Sequence, residues 1–266
     1  VTTLMQALND IDVYKNFENS NAPPPTGKED YTFSEVYARM LTSDTKLWVG
    51  NKTPQNTENI DKLHKLFPDA KFILIVRDVR DVALSWQKKW GKDKLLCAYK
   101  WNRRMRKGIQ LLEANIRSES YLIVKYEDLL SDLSSTSMQI CEFLGIPFDE
   151  NMLEFHNSVT SVVEGKLNYG KPVLVKNTSK WVQALSQSEI TRIEEIAFDS
   201  LSCFNYSISS ADRQRPITLL EKYAGFANDV YALVFIGNRA IEKDKFRNRL
   251  KTIGVQVRKL VQKKAF

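Results

Sequence analysis

Arg77 and Ser85, within KFILIVRDVRDVALSW at 71–86, are the most informative pair of side chains in this chain. Lys71 to Val76 reads as a buried strand, Arg77 opens a short turn, and a helix carrying Ser85 is expected from near Asp81. This puts a guanidinium at the carboxyl end of a parallel strand, where open α/β sheets bind ligands. The helix N-terminus adds its own preference for anions. A guanidinium fork matches phosphate oxygens and a serine adds a neutral donor, so a nucleotide phosphate is the functional reading. The competing reading is a surface arginine in a ladder of Arg77, Asp78, Arg80 and Asp81. The local pattern alone leaves the two evenly matched.

Around this pair the chain alternates between strand and helix. A helix is expected at Thr2–Leu8, followed by a polar, proline-rich loop to Asp30. Helices are expected at Tyr31–Leu41 and Thr57–Leu66, with a short strand at Leu47–Val49 between them. After the 71–76 strand come a helix to about Trp90, a long helix over Leu95–Ile116 and a strand over Tyr121–Val124. A helix over Ser134–Leu144 closes on Gly145, suited to a left-handed cap. Residues 158–180 read as a long loop. Ser186 with Glu189 three residues later is a capping box opening a helix to Leu201. Strands alternating with helices imply a parallel sheet with right-handed crossovers.

Composition narrows the classes. The 266 residues, 43% hydrophobic and 27% charged, suit a soluble α/β domain with a sizeable core. Three scattered cysteines, Cys97, Cys141 and Cys203, argue for a reducing compartment and against a disulfide framework or zinc site. His64 and His156 lie far apart and near no acidic cluster, which disfavours a histidine metal site or a Ser-His-Asp triad. No signal peptide opens the chain and no apolar run reaches the length of a membrane span, so a cytoplasmic location is expected. Residues 239–266 carry ten Lys/Arg against two Asp/Glu, more than the whole chain's net +7. The remaining body is therefore slightly acidic and offers no nucleic-acid-binding surface.

Five segments, taken in order, resemble the sulfotransferases that use 3′-phosphoadenosine 5′-phosphosulfate. TTLMQAL at 2–8 is similar to the second half of that family's phosphosulfate loop. GNKTP at 50–54 and FPDAKFILIVRDVRDVALS at 67–85 resemble the segments that form its 3′-phosphate site. YLIVKYEDLLSD at 121–132 with CEFLGIPF at 141–148 resembles its third strand and helix. KPVLVKNTSKW at 171–181 resembles its cofactor-covering loop. The spacing and the SKW ending are nearest the tyrosylprotein and bacterial carbohydrate or lipid branches, and the likeness covers residues 2 to about 206. It implies an α/β fold, a P-loop-type parallel sheet flanked by helices with a C-terminal helical extension. Because such a fold places a strand and a Gly-rich turn before the Thr2-Thr3 helix, an N-terminally truncated domain at 1–210 lacking its first strand is expected. Residues 211–266 would form the helical, basic extension.

The resemblance also assigns roles. Thr2 and Thr3, at a helix N-terminus, would bind the 5′-phosphosulfate; the plain alternative is an N-cap. Lys52 would stabilise the leaving phosphate, and is otherwise a solvated lysine. Arg77 and Ser85 would hold the 3′-phosphate, Tyr126 at the end of its strand would contact the adenine, and Lys180 would reach the phosphates, with Trp181 anchoring the loop by burial. Lys89 is a weaker phosphate candidate. Glu18, in NFENSN, would be the base that deprotonates the acceptor hydroxyl, its basicity raised by burial beside Phe17. The match there is partial, because Asn16-Phe17 stands where the family often has Gly-Glu. Neither a Walker lysine motif nor an acidic metal-binding pair is present, so no metal is expected. The product would be 3′-phosphoadenosine 5′-phosphate, and the acceptor a carbohydrate, lipid-linked or tyrosine hydroxyl. Two rivals remain: a P-loop small-molecule kinase, and a non-catalytic membrane-associated binding protein on the same scaffold.

From Phe246 the apolar residues Leu250, Ile253, Val257 and Leu260 form one helical stripe among Lys and Arg. Three fates compete for 239–266: packing on the body, peripheral contact with an anionic membrane, or a coiled coil with a partner. Residues 215–238 are apolar enough for a core or membrane-facing helix. The oligomeric state is not legible.

Overall fold

The computed structural model describes residues 50–154 and 177–232. These fall into two compact units, one of residues 50–74 with 107–122 and the other of residues 75–106, 123–154 and 177–232. In chain order the helices are α1 (Ile60–Leu66), α2 (Val79–Trp90), α3 (Lys94–Asn115), α4 (Tyr126–Ser131), α5 (Leu133–Leu144), α6 (Trp181–Ala184), α7 (Gln187–Cys203) and α8 (Leu219–Tyr231). The strands are β1 (Phe72–Val76), before α2, and β2 (Tyr121–Lys125), before α4; they pair in a parallel sheet flanked by helices. The α/β class expected from the alternation is thus observed. Among the described residues, no helix is long and apolar enough to cross a membrane.

In the first unit, the helix expected over Thr57–Leu66 is split. A 3-10 turn at Pro54–Glu58 gives way to α1 only after Asn59. Pro54 fits the first position of a helical turn, where its missing N–H costs nothing. Within the same unit α3 approaches closely at Gly108, where a β-carbon would stand 2.5 Å from Thr57 Cγ2.

The second unit holds the larger core. Val79, Ala83 and Leu84 of α2 meet Cys97 and Ala98 of α3 and Ile190, Ile193, Ile196, Ala197 and Leu201 of α7. The α7 set recurs at three- and four-residue intervals, the stripe an amphipathic helix buries. Burial there pushes the Cys97 thiol up to about 12, which makes it an inert packing group. The capping box read from Ser186 and Glu189 forms as expected, with Ser186 Oγ accepting from Glu189 N and the Glu189 carboxylate accepting from Ser186 N. Gly145 ends α5 at φ 74°, the left-handed cap its type suits.

Two expectations need correction. The strand read as fully buried has one covered face: Leu74 and Val76 are buried, whereas Ile73 and Ile75 are exposed. A continuous apolar run suits cover on both faces but does not say which face the neighbouring elements reach. Within the segment read as a core or membrane-facing helix, α8 forms. Leu219, Leu220, Tyr223 and Tyr231 stand exposed on it, which removes the core alternative for that face and is compatible with the membrane-facing one. Its opposite side is fixed by polar bonds: Asp93 N donates to Asp229 Oδ1 at 2.9 Å and Asn228 Nδ2 to Gly91 O at 3.0 Å.

A second capping box, Thr218 with Glu221, opens α8, and here the carboxylate has a further partner. Arg192 donates from Nε to Glu221 Oε1 and from Nη2 to Oε2, both at 2.7 Å. Those bonds chiefly, opposed by burial and aided by the Thr218 donors, hold the Glu221 carboxyl down at about 2 against an ordinary 4.5. A depressed carboxyl stabilises the fold above its unfolded pKa and loses that contribution as pH falls from about 4.5 toward 2. With a quarter of the side chain exposed, roughly 1–2 kcal/mol at neutral pH is expected after allowing for solvent screening. Urea unfolding of wild type and Glu221→Gln should differ by that amount at pH 7 and converge near pH 2. An equal gap at both pH values would refute the attribution.

Candidate functional site

The site forms where β1 runs into α2. Asp78 is the N-cap: its carboxylate accepts from Arg80 N at 2.8 Å, so α2 begins at Val79 rather than near Asp81. The expected anion at this helix N-terminus is thus supplied by the chain's own Asp78. A short brace holds the turn. Glu127, at the start of α4, accepts from Asp78 N at 3.0 Å and from the Tyr206 hydroxyl at 2.7 Å, and that hydroxyl also reaches Val76 O at 3.3 Å. Burial, then the bond to Glu127, raises the Tyr206 phenol well above its ordinary value, so it stays a donor.

The two arginines of RDVRD have separate fates. Arg80 is 1% exposed and holds Asp78 through Nε and Nη2 (2.7 Å at the shortest) and Glu194 through Nη1 at 2.6 Å, with its guanidinium 3.8 Å from the Trp181 ring centroid. Glu194 is fully buried. Burial would raise its pKa, but donors from Ser209, Ser210 and Ala211 bring it below the ordinary value. The ladder envisaged on the surface is therefore a buried ion network, and Arg77 takes no part in it.

Arg77 points elsewhere. Its guanidinium lies 4.7 Å from the Tyr126 ring centroid and donates from Nη2 to Asn177 O at 2.7 Å. Its Nε is buried with no hydrogen-bond partner among the described residues. The Asn177 side chain donates from Nδ2 to the Tyr126 hydroxyl at 2.9 Å and accepts from Lys180 Nζ at 2.8 Å. Three sequence candidates, Arg77, Tyr126 and Lys180, are brought together around one asparagine. Tyr126 does so as the first residue of α4, not as the end of a strand through 126, because the β2 ladder stops at Lys125.

Asp81 ties the same loop to α2 by accepting from Trp181 N at 3.1 Å. It is 2% exposed, and its Oδ2 has no partner among the described residues. Burial raises its pKa, with the Trp181 N–H and the Arg77 charge opposing that rise. Between these anchors Ser179 sits at φ 54°, a conformation uncommon for a residue with a β-carbon. Trp181, expected to anchor the loop, is partly buried against the core cluster. Ser85 is exposed on α2, one turn beyond Asp81 and on the same face. Lys89 lies over the Trp90 ring, 4.9 Å from its centroid.

Lys52 is exposed just ahead of the Pro54 turn in the first unit. Thr2, Thr3, Glu18 and the basic stripe of 239–266 lie outside the described residues. Asn177 and Asp81 carry the geometry yet were not candidates. The only available signal was the NTSK spacing, which lets an amide meet a lysine three residues on. Among the described residues, no group of three or more His, Cys, Asp or Glu could hold a metal ion.

A guanidinium with a buried N–H that has no partner among the described residues, a phenol, an ammonium and an exposed hydroxyl one turn along α2 have the chemistry of a site for an anionic, aromatic ligand. The described residues thus make an α/β protein with a cluster of anion-suited side chains where its sheet meets α2. Comparison with known proteins narrows the class. A family model described as the sulfotransferase family matches residues 18–150. Protein-tyrosine sulfotransferase 1 of Danio rerio is 32% identical over 148 residues, 50% of this chain and 41% of that protein. Carbohydrate sulfotransferase 2 of Mus musculus is 29% identical over 111 residues, 38% of this chain and 20% of that protein. The solved sulfotransferase domain from the Synechococcus PCC 7002 olefin synthase superposes with a TM-score of 0.54 at 24% identity, covering 66% of this chain and 65% of that one. The chain belongs to the sulfotransferase family. Across the first four relatives it matches, all protein-tyrosine sulfotransferases by name, it spans 41% to 70% of their length.

Proposed function

We propose that this chain transfers a sulfuryl group from 3′-phosphoadenosine 5′-phosphosulfate to an acceptor hydroxyl. One observation carries the reading: Arg77, Tyr126 and Lys180 converge on Asn177 beside a guanidinium Nε left without a partner among the described residues. Arg77 binds the 3′-phosphate with Ser85, the Tyr126 ring takes the adenine, and Lys180 neutralises phosphate charge. When bound, the donor supplies an activated sulfuryl group. Lys52 would stabilise the charge left on the departing phosphate, and Thr2 and Thr3 would hold the phosphosulfate. Glu18 would take the acceptor's proton as its oxygen attacks.

Names of the relatives support a tyrosine or carbohydrate hydroxyl as acceptor, and a lipid-linked hydroxyl fits peripheral membrane contact through 239–266. All three cysteines are free thiols, which suits a cytoplasmic setting. Calorimetry of the full chain with adenosine 3′,5′-bisphosphate and with ATP tests the proposal. Preferential binding of the bisphosphate is expected. A preference for ATP, or no nucleotide binding, would overturn it.

A further inference from the structure

We propose that Asn177 is a positioning residue, holding Tyr126 and Lys180 through its amide, and Arg77 through its main-chain carbonyl, in the arrangement that receives the nucleotide. The inference rests on the nucleotide reading above and gives a role to a residue that lies inside the 171–181 motif but received none from it.

The three groups come from separate parts of the chain: Arg77 lies 100 residues and Tyr126 51 residues before Asn177. Arginine and lysine side chains lose substantial rotamer freedom when a ligand fixes them, and a tether in the free protein removes part of that loss in advance. Asn177 supplies it with both ends of one amide. Lys180 Nζ has only hydrogens to offer, so it must face Oδ1 at 2.8 Å, and this sets the amide's orientation. Nδ2 then faces the Tyr126 oxygen at 2.9 Å, which leaves the phenol's own hydrogen available to a ligand. Arg77 commits Nη2 to the carbonyl and retains Nε, buried and unpartnered among the described residues.

The loop is shaped for this purpose. Ser179 takes its left-handed conformation between Asn177 and Lys180, and Asp81 receives Trp181 N just beyond. The strained turn is pinned at both ends, as strain retained at functional sites usually is. Alanine at 177 would keep the carbonyl that meets Arg77 but release Tyr126 and Lys180. Aspartate would keep the Lys180 contact, lose the donor to Tyr126 and place a negative charge beside an anion site.

The test is calorimetric binding of adenosine 3′,5′-bisphosphate to the full chain. Asn177→Ala should weaken binding by about tenfold, the size expected for losing charge-assisted positioning, and Asn177→Asp should weaken it further. Melting temperatures of both variants should match wild type. In a Tyr126→Phe/Lys180→Ala background, Asn177→Ala should cost no more than about twofold, because it acts through those two groups. Unchanged affinity in Asn177→Ala overturns the proposal, as does a tenfold loss that persists in the double background, which would mark a purely structural role. Failure of wild type to bind the bisphosphate removes the nucleotide reading itself and this inference with it.

Discussion

Arg77→Ala should weaken binding of adenosine 3′,5′-bisphosphate by about a hundredfold or more. Two charge-assisted hydrogen bonds to a phosphate, at roughly 1.5 kcal/mol or more each, account for that factor. The other groups proposed to meet the phosphate, Lys180 and Ser85, are both exposed, so water would screen what they supply. Arg77→Lys should recover only part of the loss, since an ammonium lacks the fork that spans two oxygens. Removing Arg77 also removes its bond to Asn177 O and its stacking on Tyr126, so the variants need a melting curve beside the titration. An Arg77→Ala protein that melts like wild type and binds within threefold of it would end the assignment of this residue to the phosphate.

Arg80→Ala tests the support beneath that site, and its expected cost falls on stability. The substitution strands two buried carboxylates, Asp78 at 6% exposure and Glu194 at 0%. Removing one partner from a buried ion network costs about 3–5 kcal/mol, a large share of the 5–15 kcal/mol that holds a typical domain folded. Urea unfolding should show the loss as a lower midpoint with an unchanged slope. Pairing Arg80→Met with Glu194→Gln should be milder than Arg80→Ala alone, because no unpaired charge then remains at position 194. Asp78 also caps α2 directly after Arg77, so the variant should bind nucleotide less tightly as a secondary effect. A loss below about 1 kcal/mol would show that water reaches and solvates the two carboxylates.

Much of this architecture is legible in the amino-acid sequence. β1 differs from its expected span by one residue, since an apolar run between a lysine and an arginine leaves little freedom of register. The capping box at Ser186 and Glu189 and the left-handed cap at Gly145 formed where their spacing placed them, because both are local contacts within one turn. Misreadings arose where a local pattern has two solutions. In RDVRD the four charges look alike along the chain. Which arginine is buried depends on Glu194, 114 residues after Arg80. Tyr126, expected at the end of its strand, opens α4 instead, because the ladder ends one residue earlier.

Legible along the chain were the family-like order of segments, the alternation of strand and helix, and the residue types able to grip a phosphate. These follow from short-range periodicity and from side-chain chemistry that any fold would carry. Which of those residues meet follows from long-range packing. Asn177 became the junction of Arg77, Tyr126 and Lys180, and Arg80 was withdrawn into the core. The reason is physical: a hydrogen bond spanning a hundred residues is set by packing of the elements that carry its ends, and nothing in the local run around Asn177 encodes it.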